Sequence, residues 1–164
     1  MSSDSVPISV IIVTHNSAAA VAGCLKSISV ATARYSWEII VVDNHSADNS
    51  TEVVRQVRPD ARVLENSENI GFGRACNLAS ENASGDYLLF LNPDAELDPL
   101  AIDYLVEAHR SRTGVGFAVP RLRFPSGVFQ ASCRKLPTIS NMIFSRGSAF
   151  GRLFGRLGGG HSSY

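Results

Sequence analysis

The sequence predicts an α/β fold: a Rossmann-like, mainly parallel sheet with helices on both faces. Three observations carry this. Continuous apolar runs of strand length alternate with segments whose apolar residues recur at helical spacing. The alternation holds through the first hundred residues, the pattern of right-handed βαβ units. Polar residues able to bind a ligand follow the strand-like runs, as expected where the carboxyl ends of parallel strands form one rim.

The elements follow in order. PISVIIVTHN (7–16) is a strand buried on both faces. SAAAVAGCLKSI (17–28) puts Val21, Leu25 and Ile28 on one helix face, with Ser17 as the expected cap. WEIIVVDN (37–44) is a second buried strand. A helix started by Asp48 or Ser50 follows, with Val53, Val54 and Val57 on one face. ARVLEN (61–66) is a short third strand, and GFGRACNLASENA (71–83) a helix opened by glycines. DYLLFL (86–91) is a fourth strand, expected to be covered on both faces and ended by Pro93, which has no N–H for the ladder. Asp98 and Pro99 supply an N-cap and first helical position for LAIDYLVEAHR. GVGFAVP (114–120) is an expected fifth strand, and RLRFPSGVFQAS a hairpin turning at Pro125-Ser126-Gly127. The Gly- and Ser-rich tail that follows has no strong helix signal.

A chain of 164 residues fits one domain with a substantial core. At 45% hydrophobic and 18% charged, with mean hydropathy +0.05, its composition is that of a soluble globular protein. No run approaches the roughly 20 apolar residues of a membrane span, and the N-terminus lacks the marks of a signal peptide. Cys24, Cys76 and Cys133 have no paired spacing and read as reduced cytosolic thiols. The net charge of zero hides an asymmetry. Residues 1–108 hold all 15 acidic residues and 6 of the 15 basic ones, and residues 109–164 hold the other 9, so the two parts are formally −9 and +9. Either the basic segment faces an anionic surface or the two parts neutralise each other. Its arginines are not interleaved in the pattern of a known nucleic-acid module, so no nucleic-acid partner is expected.

Several chemistries lose their support. There is no GxGxxG after the first strand, no GxxxxGK[ST], no GxSxG and no HExxH. What remains is carboxylates and amides at strand ends: Thr14 and Asn16, Asp43 beside Asn44, and Asp94 after Asn92-Pro93. A lone Asp after a strand is usually a turn or cap residue. Two, each with an Asn nearby, suit a hard divalent cation that also takes phosphate oxygens, the arrangement needed to stabilise a diphosphate leaving group.

The strand ending in THN, then VVDNHSADNS, NIGFGRACN and GDYLLFLNPDAEL, resemble in order and spacing the inverting family 2 glycosyltransferases of GT-A fold. The match covers residues 7–135 and looks closest to rhamnosyltransferase-like members, which make bacterial cell-wall and surface polysaccharides; PRLRFPSGVFQASCRKLPT resembles their segment after the fifth strand. The resemblance implies a nucleoside-diphosphate sugar as donor, with dTDP-rhamnose the candidate, and a saccharide or lipid-linked acceptor. It implies that Thr14 and Asn16 line the nucleotide pocket, Asp43 accepts from the base, Gly71 admits the nucleotide, Arg74 lies near the diphosphate, and Asn92 bonds a ribose hydroxyl. Asp94 would hold Mg²⁺ or Mn²⁺. Asn92 in place of the first acid of the family's DxD-type motif lowers the charge there. His15 and His45 are loop residues within reach of a ligand, Asn77 reads as structural, and Asp98, Asp103 and Glu107 as helix-capping or solvated residues.

The reaction implied is a single displacement with inversion. The family's base, an acidic pair downstream of the metal motif, has no counterpart, because no acidic residue follows Glu107. The expectation is therefore a C-terminally incomplete GT-A domain: a donor-binding part at 1–135 and a basic tail at 136–164 that begins an acceptor half. It would act in the cytoplasm, with peripheral contact at the inner face of the plasma membrane. The alternatives are a non-catalytic nucleotide-sugar or partner-binding module, and a nucleotidyltransferase, whose glycine-rich basic loop THNSAAAVAG lacks.

Overall fold

A computed structural model describes residues 7–32 and 34–130. The chain divides into two compact units, Met1–Pro120 and Arg121–Tyr164. In the first unit the order is β1 (Ile8–Thr14), α1 (Val21–Ala31), β2 (Trp37–Asp43), α2 (Ser50–Val57), β3 (Arg62–Glu65), α3 (Phe72–Glu81), β4 (Tyr87–Leu91) and α4 (Ala101–Arg110). The four strands form one parallel sheet in the order β3-β2-β1-β4.

β1 and most of β2 are apolar because both their faces are covered. Alternate residues Val10, Ile12, Ile39 and Val41 pack with Leu25 and Ile28 of α1, Val54 of α2, and Ile102 and Val106 of α4. Their neighbours Ile11, Val13, Ile40 and Val42 pack on Ala75 and Ala79 of α3. Each fully buried Val, Leu or Ile contributes about 1.5–3 kcal/mol, so the centre of the sheet is its most strongly held part. At the end where the strands begin, Gly85 lies against the β1 backbone. A Cβ there would sit 2.6 Å from the Ser9 nitrogen, so the close approach itself requires glycine.

The structure corrects four expectations. Residues 114–120 form no strand: Gly114 has φ +80° and no described strand pairs with the segment. Phe117 and Val119 are 84% and 62% exposed, so apolar composition without a partner edge makes no strand. β4 is not covered on both faces. Leu88 and Phe90 are 43% and 50% exposed, because α3 packs over β1 and β2 and does not reach the outermost strand. The first helix begins at Val21 rather than residue 17. Ser17 does not cap it with its side chain: its carbonyl accepts from Ala20 and Val21, while its hydroxyl is taken by the backbone of His15.

The hairpin forms as expected within the second unit. β5 (Leu122–Arg123) pairs antiparallel with β6 (Phe129–Gln130), and Gly127 (φ +82°) turns the chain, its N–H donating to Phe124. The last two residues of the expected hairpin and the tail lie outside the described residues.

Candidate functional site

Sheet order reverses at β1, with β2 on one side and β4 on the other. The rim outside the carboxyl ends of these strands is where such sheets hold ligands. Thr14 and Asp43 end adjacent strands in direct register, and Leu91, which pairs with Ile12, delivers Asn92 to the far side of β1. The fold therefore brings together the three strand ends singled out in the sequence.

The β1–β2 side is densely bonded. Asp43 is 4% exposed. Its Oδ1 accepts from the Thr14 hydroxyl at 2.8 Å and from the Ser46 hydroxyl, and its Oδ2 from the Ser46 N–H at 2.9 Å. Thr14 is fully buried, so its hydroxyl serves Asp43. Asn16 ties the two loops together: its N–H donates to the Ser46 hydroxyl and its Oδ1 accepts from Ala47. His15 Nδ1 lies 3.0 Å from the Asn44 carbonyl, which can only accept, so that ring nitrogen carries the proton. Asp48 accepts from Ala18 and Ser50, and the Ser50 hydroxyl bond holds its carboxyl below its ordinary range. Asn16 (φ 53°) and His45 (φ 64°) adopt the left-handed conformation, uncommon among non-glycine residues though entered by Asn and His more often than by most. Such outliers persist only where surrounding bonds over-determine them.

Asn44 is a residue whose role the sequence reading missed. It is 3% exposed. Its Oδ1 accepts from Asn66 Nδ2 and from the Ile70 N–H, and its Nδ2 donates to Asn69 Oδ1 at 2.7 Å. Asn69 in turn accepts from the Gly71 N–H. This chain of amides sets the loop before α3, where Gly71 (φ 84°) forms the N-cap and points the helix's first amides toward the rim. The signal was the density of Asn and Ser around DNHSADNS and NSENIG, whose partners no spacing rule identifies. Arg74, in the first turn of α3, is exposed and has no ion-pair partner among the described residues; Asn77 is exposed too.

The β4 side is open. Asn92-Pro93-Asp94-Ala95 is a turn closed by the Ala95 N–H on the Asn92 carbonyl at 3.1 Å, with Pro93 at the position its fixed φ suits. Asn92 and Asp94 are exposed, and the Asp94 carboxylate makes no hydrogen bond or ion pair among the described residues. No cluster of three His, Cys, Asp or Glu able to hold a metal occurs among the described residues. The donor set still fits a hard divalent cation of the kind held by one or two carboxylates, with water and substrate phosphate oxygens completing the shell. Asp98 is not the expected N-cap of α4: the helix begins at Ala101 with Leu100 as N-cap and no side-chain cap bond, and the Asp98 carboxylate accepts from the Leu100 N–H in the turn before it, where Pro99 also lies. Asp103 accepts from the Tyr35 hydroxyl and pairs with Arg34, away from this rim.

A parallel α/β sheet with its polar rim at the switch point, one carboxylate built in and one presented, belongs to the α/β folds that bind ligands at the carboxyl ends of their strands. The chain belongs to glycosyl transferase family 2, whose profile matches residues 9–155. An N-acetylglucosaminyl-diphospho-decaprenol L-rhamnosyltransferase of Mycobacterium tuberculosis is 29% identical over 141 residues, 79% of this chain and 46% of that protein. The chain thus spans about half the length of that relative. Among solved structures, residues 1–349 of Staphylococcus aureus TarS superpose with a TM-score of 0.54 at 26% identity, covering 63% of this chain and 31% of that one. The glucosyl-3-phosphoglycerate synthase of Mycobacterium tuberculosis, solved with Mn²⁺, uridine diphosphate and glucosyl-3-phosphoglycerate, gives 0.53 at 26% identity, covering 66% and 41%. The fold is that of the GT-A glycosyltransferases.

Proposed function

We propose that this chain is the donor-binding part of an inverting glycosyltransferase and binds a nucleoside-diphosphate sugar across the ends of β1, β2 and β4. The observation that carries the reading is the Asp94 carboxylate, exposed and unbonded among the described residues, across β1 from an Asp43 bound into the scaffold. Asp43 and Asn16 would shape the base pocket, with Thr14 acting through Asp43. Gly71 and Arg74 would face the diphosphate, where a guanidinium fork suits phosphate oxygens. Asn92 would bond a ribose hydroxyl and Asp94 would hold Mg²⁺ or Mn²⁺. A divalent cation bound there supplies charge neutralisation for the departing diphosphate.

The similarity to a rhamnosyltransferase acting on a decaprenol-linked sugar favours dTDP-rhamnose as donor and a lipid-linked or polysaccharide acceptor. With such an acceptor the protein would work at the inner face of the plasma membrane. We assign donor binding to residues 1–135 and residues 136–164 to an acceptor-side part. The test is calorimetric titration of dTDP and of UDP with and without Mn²⁺. Binding of one should be metal-dependent, and Asp94→Ala should remove the metal-dependent share. Unchanged metal dependence in that variant would overturn the assignment of Asp94.

A further inference from the structure

The Asn92–Leu97 loop rests on one turn of α1. The Cys24 thiol donates to the Asn92 carbonyl at 3.4 Å, at the start of the loop. The Ser27 hydroxyl accepts from the Leu97 N–H at 3.0 Å, at its end, and donates to the Cys24 carbonyl at 2.7 Å. Between them the Glu96 carboxylate lies over Gly23, where a Cβ would come 2.5 Å from Glu96 Oε1. Leu97 itself packs into the core beside Leu25 and Ile28. The loop is thus pinned at both ends by two residues on one helix face, on a strand-to-helix unit distant in sequence.

We propose that Cys24 and Ser27 are positioning residues: they form a seat on α1 that fixes the Asn92–Leu97 loop and so the direction in which Asp94 is presented. Its bearing on donor binding rests on the reading of Asp94 given above. Cys24 suits the task because it stays a thiol. Burial first, then the nearby charges of Asp94 and Glu96, push it up to about 12, so near neutral pH it is a hydrogen-bond donor and not a nucleophile.

The test uses the full chain with Ser27→Ala, Cys24→Ala and the pair, with Ser27→Thr as the variant that keeps the hydroxyl. Alanine favours the helix, so Ser27→Ala should fold. Two quantities are read: amide exchange at Leu97 without ligand, and affinity for the dTDP or UDP that the wild type binds, with and without Mn²⁺. In Ser27→Ala exchange at Leu97 should rise roughly tenfold, the worth of about one hydrogen bond, with the melting transition retained. In the pair the metal-dependent affinity should fall by a similar factor while metal-free affinity holds, and Ser27→Thr should behave as wild type. Exchange at Leu97 unchanged in both Ser27→Ala and the pair would overturn the seat. Faster exchange with undiminished metal-dependent affinity would overturn its positioning role. Faster exchange in a chain whose wild type shows no metal-dependent affinity would uphold the seat and sink the reading of Asp94 instead.

Discussion

Asp43 and Asp94 follow strands on either side of β1, and they differ in nearly everything except charge. Asp43 is buried, and both its oxygens accept hydrogen bonds from Thr14 and Ser46. Asp94 is exposed, and nothing described bonds it, although its loop is held from behind by α1. Two carboxylates in similar sequence settings thus have different duties. One organises protein; the other is left open by the described residues. The difference follows from the sheet: β2 is a covered inner strand whose exit loop is laced to the β1 loop, while β4 is the outer strand of the described sheet and its exit loop is bonded to α1.

The comparison can be broken most forcefully at Asp43. Asp43→Ala strands the buried Thr14 hydroxyl and the donors of Ser46, and should cost about 3 kcal/mol, from an unsatisfied-donor penalty of about 1–3 kcal/mol per group. Asp94→Ala should change urea-unfolding stability by no more than about 0.5 kcal/mol, as an exposed substitution does. Equal losses would erase the distinction. Asn44→Ala should cost roughly 2 kcal/mol, since it removes one amide that satisfies Asn66, Asn69 and Ile70 together. Amide exchange should rise at Ile70 and Gly71 before it rises in β2. If exchange rises uniformly instead, the amide chain is not a separate organising unit.

The smallest expected effect is in acid. Hydrogen bonds from Ser84 first, then Ser9, hold Glu38 below its ordinary value of 4.5, and the Ser50 hydroxyl does the same for Asp48, ordinarily 3.8. A depressed folded-state value means stability that is fully present above the ordinary value and lost as pH falls through the folded one. Glu38→Gln should therefore flatten the fall in stability below about pH 4.5 while leaving the rim at the strand ends intact. A steep acid limb that persists in this variant would assign the loss to other carboxylates, Asp48 among them.

Much of this was legible beforehand, for reasons specific to each element. β1 and β2 are buried on both faces and so read as unbroken apolar runs. α2 and α3 carry clear apolar faces, and the family's motifs occur in order at the strand ends. The errors share a cause. DYLLFL and GVGFAVP are apolar for reasons composition cannot distinguish, and only the position of α3 leaves Leu88 and Phe90 open. Ser17 has the chemistry of a cap, yet its hydroxyl bonds the turn before the helix. Asn44 read as a strand-end amide open to a ligand because its partners lie in another segment; it reaches residues 66–70, more than 20 positions away.

The sequence by itself determined the alternation of strands and helices, the polar strand ends and the family, because periodicity and motif order are local properties of the chain. Only the tertiary structure decided the order β3-β2-β1-β4, which strand lies at the edge, and which carboxylate is buried. Those outcomes depend on contacts such as Thr14 with Asp43, 29 residues apart, and Cys24 with Asn92, 68 apart. Burial and hydrogen bonding at such separations are properties of packing, and no window of sequence contains both partners.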